Sequence, residues 1–87
     1  MENRIEKVEY LPYVPHKAKV FKFVDGSSIT IDYDKHIVLT FENVNYIELW
    51  MVEEVNSYLT KPIRVWMEGK LVALTKKNYK KYRELYW

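Results

Sequence analysis

The chain contains only two glycines, Gly26 and Gly69, and each interrupts a run of strand-forming residues. Val20-Phe21-Lys22-Phe23-Val24 and Ile29-Thr30-Ile31-Asp32-Tyr33 flank Asp25-Gly26-Ser27-Ser28. β-branched and aromatic residues around Asp-Gly or Gly-Ser predict a hairpin, because glycine supplies the positive φ that a tight turn requires. A two-residue turn would place Val20, Val24, Ile29, Ile31 and Tyr33 on one face and Phe21 and Phe23 on the other, so both faces read as partly apolar and the strand as interior. Glu68-Gly69 separates Ile63–Met67 from Lys70–Leu74 by the length of a second hairpin loop. That register sets Trp66 opposite Leu71 and Arg64 opposite Ala73, with Ile63, Val65, Val72 and Leu74 on the other side.

Between the hairpins, Ile37, Leu39 and Phe41 alternate with His36, Thr40 and Glu42, as in a half-buried strand. Residues 46–59 read as a helix. Asn45 and Glu48 stand at capping-box spacing, Val44 and Leu49 at staple positions, and Ile47, Met51, Val55 and Tyr58 form an inward stripe. The β-like propensities of Tyr46 to Val52 would also admit a strand. Thr75 can cap a second helix over residues 76–86, with Tyr79, Tyr82 and Tyr86 along one side. Residues 1–11 fit either a helix, through Met1, Ile5, Val8 and Leu11, or a strand opening at Val8. Pro12 and Pro15 hold the next stretch extended. The expected fold is α+β: a single domain of residues 1–87, an antiparallel sheet of hairpins with one central and one C-terminal helix.

Composition removes several functions. Cysteine is absent, and with it disulfides, thiolate metal sites and thiol nucleophiles. Two glycines cannot build a phosphate-cradling loop. Apolar stretches such as Leu49 to Val52 fall far short of the roughly 18–20 residues that span a bilayer. Glu2, Arg4, Glu6 and Lys7 stand where a signal peptide would be apolar. At 48% hydrophobic and 30% charged, the chain reads as a soluble, cytoplasmic protein without a membrane role.

Charge is uneven. Residues 1–60 carry six Lys and Arg against ten Asp and Glu, a net of −4, whereas residues 61–87 carry eight against two, a net of +6. The basic third suggests an anionic partner. Lys76, Lys77, Lys80, Lys81 and Arg83, helped by Arg64 and Lys70, could hold phosphates or an acidic protein surface while the tyrosines stack on bases. The plainer reading docks the tyrosines on the sheet and leaves the lysines solvated. Trp66 beside Arg64 is a second candidate, because both residue types concentrate at interface hot spots. Tyr46 and Trp50 fall off the inward stripe and, with Tyr79, Tyr82 and Tyr86, complete a set of candidate interface aromatics.

Other constellations are weak. Asp32, Asp34 and His36 alternate and would converge in an extended chain, as a metal or acid–base site requires, but aspartates are also ordinary turn formers. Pro12-Tyr13-Val14-Pro15-His16-Lys17 fits a proline-rich ligand or simply a shaped loop. Ser27, Ser28 and Ser57 with His16 or His36 lack the glycines of a nucleophile elbow. Neither a metal nor a cofactor is expected. The sequence points to a non-enzymatic binding protein with a protein partner or a second copy of itself. A viral or mobile-element accessory protein that inhibits or adapts a host complex would be one such module. The alternative is direct nucleic-acid binding through the C-terminal helix.

Overall fold

A computed structural model describes residues 4–11 and 17–87. The elements run β1 (Ile5–Leu11), β2 (Ala18–Phe23), β3 (Ser28–Asp32), β4 (Ile37–Glu42), α1 (Leu49–Ser57), β5 (Arg64–Met67), β6 (Lys70–Ala73) and α2 (Tyr79–Tyr86). They form the expected α+β architecture, with all six strands in one sheet in sequence order. Every neighbouring pair is antiparallel except β4 and β5, which lie parallel and are linked through α1. Parallel neighbours need such a crossover, since a tight turn can only reverse the chain. The ambiguous N-terminal segment is a strand, β1, paired with β2.

The first hairpin corrects the expected register. Phe23 N–H donates to Ser27 O at 2.9 Å and Gly26 N–H to Phe23 O at 3.1 Å, leaving Val24-Asp25-Gly26 as a three-residue loop. Gly26 takes φ +91°, a left-handed conformation that L side chains rarely adopt. The extra loop residue pairs Phe21 with Ile29 and Val20 with Thr30. Phe21, Phe23, Ile29 and Ile31 therefore share one face, and none exposes more than 1% of its surface. Asp25 sets the loop: its Oδ1 accepts the Ser27 N–H at 2.9 Å and the Ser27 hydroxyl at 2.5 Å. These bonds lower the Asp25 pKa.

A bulge moves β4 in the same way. Ile31 faces Val38, yet Thr30 faces Thr40. Val38 and Phe41 thus join the core, whereas Leu39, expected beside Phe41, is exposed.

Both helices are shorter than their periodicity predicts. α1 begins at Leu49, and its N-cap Glu48 makes no side-chain cap bond, so the expected Asn45 capping box does not form. Glu48 instead accepts the Trp50 indole N–H at 2.6 Å. Ile47, Met51, Val52 and Val55 are buried, and Tyr58, beyond the helix, is exposed. α2 begins at Tyr79 because Asn78 is engaged with the backbone before it. Its Oδ1 accepts the Thr75 N–H at 2.9 Å and its Nδ2 donates to Ala73 O at 2.7 Å. Asparagines of this kind compete with regular helix for nearby backbone groups.

The two helices pack on the sheet face that carries Phe21, Phe23, Ile29, Ile31, Phe41, Val65 and Met67. No other described element covers the opposite face. At its centre Val20 and Thr30 are buried, but toward β5 and β6 the face opens. No helix among the described residues is long and apolar enough to cross a membrane.

Asp32, Asp34 and His36 do not converge. Asp32 Oδ1 accepts the Asp34 and Lys35 N–H groups at 2.9 and 3.2 Å, and His36 sits at φ +62°. The segment is a turn rather than extended chain. Among the described residues no group of three or more His, Asp or Glu could hold a metal ion. The proline-rich segment lies at residues 12–16, outside those described.

Candidate protein-interaction surface

The β5–β6 hairpin forms as its sequence predicts. Trp66 pairs with Leu71 and Arg64 with Ala73, so alternation sends Arg64, Trp66, Leu71 and Ala73 to the open face. Val65 and Met67, on the other side, are anchored in the core. Ile37 pairs with Arg64 and extends the open face into β4.

Trp66 exposes 60% of its surface. Tryptophan carries a large apolar area and is highly buried on average, so this exposure is costly for an isolated chain. Arg64 is exposed beside it and Leu71 is half-buried, whereas Lys70, paired with Met67, is exposed on the helix-covered side.

The hairpin is held firmly from behind. Glu68 and Gly69 adopt φ +52° and +78°, the left-handed pair that a two-residue turn demands. The Glu68 N–H donates to the Tyr86 hydroxyl at 3.0 Å, tying the tip to the end of α2. The Glu68 carboxylate pairs with Lys81 at 2.8 Å and holds the Lys81 pKa above its ordinary value. Glu68, the sole acidic residue of the hairpin, is thereby engaged, which leaves Arg64 to set the sign of the Trp66 surface. The result is a pre-organised apolar patch with a cationic rim.

The other singled-out residues divide. Tyr79, Tyr82 and Tyr86 do not form a free stacking ladder. Tyr82 is a core residue at 9% exposure, in ring contact with Phe41, Tyr86 and Trp87. Burial, and then the neighbouring Tyr86, raise the Tyr82 pKa. Trp50 lies edge-on to Phe23 at 5.1 Å beneath the Arg4 guanidinium, so it too is half spent on the fold. Arg83 is stacked 4.3 Å from the Tyr46 ring and 5.5 Å from the Tyr79 ring, and it donates to Ile47 O at 3.4 Å. Lys76, Lys77 and Lys80 remain exposed, whereas Lys81 is ion-paired.

Two aromatic features escape a reading by periodicity. Trp87, the last residue, donates its indole N–H to Val44 O at 3.2 Å and lies edge-on to Phe41 at 4.9 Å, closing one end of the core. At the other end, Tyr10 packs edge-on to Tyr33 at 5.5 Å, and Lys19 lies over Tyr10 at 5.1 Å. These residues come from separate elements, so no local spacing announces them.

No protein-family model matches the chain, no curated protein is similar to it, and no solved structure matches it.

Proposed function

We propose that the protein is a non-enzymatic, cytoplasmic binding module that docks another protein on the open face of its β5–β6 hairpin. An inhibitor or adaptor of a larger complex would use such a surface. The observation that carries the reading is Trp66, more than half exposed on a hairpin fixed by the core on one side and by Tyr86 at its tip. A rigid aromatic beside an arginine is the usual composition of an interface hot spot, because little side-chain entropy is lost on binding. The rim selects the partner's chemistry. With Arg64 beside Trp66 and Leu71, the complementary surface is an apolar cleft bordered by a carboxylate.

The test begins with proteins retained by the immobilised chain, each then purified and titrated against wild type and variants. Trp66→Ser should weaken the complex by about 2 kcal/mol or more, roughly 30-fold in Kd. Leu85→Ser, which removes an exposed apolar side chain from α2, should leave affinity unchanged. Binding indifferent to Trp66 would sink the proposal.

A further inference from the structure

We propose that a second face of the molecule, built from Tyr46, Arg83, Lys80, Lys77 and Lys76, binds single-stranded nucleic acid. It is independent of the Trp66 surface, since α2 lies on the helix-covered side of the sheet and Trp66 on the open side.

Arg83 is the centre of this face. Its guanidinium sits between Tyr46 and Tyr79 and is oriented by the Ile47 carbonyl. Its buried Nε has no hydrogen-bond partner, and no carboxylate lies within ion-pair distance among the described residues. A half-buried cation normally acquires a counter-ion, because desolvation is otherwise poorly compensated. Here two ring faces hold it in place and leave its charge unneutralised.

The neighbouring cations follow the same pattern. Lys80 precedes Arg83 by one helical turn. Lys76 and Lys77 lie in the turn before α2, where Asn78 and Tyr79 N–H both donate to Thr75 O and continue the helical path. None of the three lysines is in an ion pair among the described residues; exposed Glu84, one turn beyond Lys80, pairs with none of them. The acidic partner that α2 does have, Glu68, is taken by Lys81.

Tyr46 distinguishes nucleic acid from an acidic peptide as the ligand. It is 53% exposed although Arg83 lies against its ring, so an aromatic surface remains beside the cations. Bases stack on such a ring while the lysines and the guanidinium hold successive phosphates, a combination that tolerates any sequence. Single strands offer the unstacked bases this requires, whereas duplexes keep theirs paired.

Anisotropy titrations with short fluorescein-labelled single-stranded DNA and RNA test the site. The triple variant Lys76→Gln, Lys77→Gln, Lys80→Gln is compared with Lys17→Gln, Lys35→Gln, Lys61→Gln, which removes the same charge from exposed positions elsewhere. Wild type should bind saturably at about 50 mM salt and weaken steeply by about 200 mM. The first triple should lose about tenfold or more in affinity and flatten the salt slope by about two phosphate contacts, the second less than about threefold. Tyr46→Leu should weaken single-strand binding, and Trp66→Ser should leave it unchanged. Equal losses in the two triples would show unspecific attraction and overturn the site. So would absence of binding at low salt, or displacement by polyglutamate as readily as by unlabelled oligonucleotide.

Discussion

At the scale of single residues, aromatic side chains divide the molecule into spent and unspent surface. Tyr82 is spent: burial raises its pKa above 10.0, with Tyr86 at 5.0 Å adding to the shift. The sign of the consequence follows from linkage. Below the ordinary tyrosine range both states hold the proton, so the full contribution of Tyr82 to stability is present. As pH rises past 10.0 the unfolded chain releases this proton before the folded chain does, and stability falls until the folded value is passed. Tyr82→Phe removes that titration. Urea unfolding across the alkaline range should show a difference between variant and wild type that is flat at neutral pH and grows in favour of phenylalanine above 10.0. A constant difference throughout would mean that the phenol ionises alike in both states. Arg83 shows why single residues are hard to read from sequence. Its helical position placed it among solvated lysines, but Tyr46, thirty-seven residues earlier in the chain, claims its guanidinium.

At the scale of elements, local signals reported which elements exist better than how they are registered. Both glycine turns, the alternation of β5 and β6, and the burial of Ile47, Met51 and Val55, though not of Tyr58, are visible in the sequence because each depends on neighbours within a few residues. The face assignment of β2 and β3 is not, since one additional residue in the Val24-Asp25-Gly26 loop exchanges the inward and outward sets. The β4 bulge escapes for the same reason. The join between elements is still less local. Asn56, at the end of α1, donates from Nδ2 to Leu74 O at 3.0 Å and accepts the Ile63 N–H on Oδ1 at 2.9 Å. One amide thus clamps the helix to the entry of β5 and the exit of β6, and Leu74 N–H closes the circuit on Ile63 O at 2.8 Å. Ile63 and Leu74 are both fully buried, so water cannot readily replace the lost partner. Asn56→Ala should cost about 2–6 kcal/mol, because two buried backbone groups lose their bonds at about 1–3 kcal/mol each. Asn56→Asp, which keeps the acceptor for Ile63 but cannot donate to Leu74, should fall between. Chemical denaturation ranks the three proteins; an alanine variant as stable as wild type would assign the clamp no energetic role.

At the scale of the whole molecule, the described helices cover one side of the sheet and, among the described residues, no helix covers the other around β5 and β6. The radius of gyration is 12.3 Å, close to the ~12 Å of a compact chain of this length. Trp66 stands outside the core, and the sequence could present it only as equally suited to core or interface, because hairpin register fixes its face but not what covers it. The charge split shows the same limit: a net of +6 over residues 61–87 is legible, yet Lys81 is neutralised by Glu68 while its neighbours Lys76, Lys77 and Lys80 have no ion pair among the described residues. Because Trp66 is 60% exposed and bonded to nothing in the core, its role and the fold's stability should separate. Trp66→Ser should change unfolding free energy by no more than about 0.5 kcal/mol, the usual range for surface substitutions. Sedimentation velocity should report a monomer for both proteins when no partner is present. A loss of about 2 kcal/mol would make Trp66 a structural residue, on the scale of burying such a side chain. A wild-type dimer that Trp66→Ser dissociates would instead make a second copy of the chain the occupant of the open face, through an isologous contact in which each Trp66 meets its partner's hairpin.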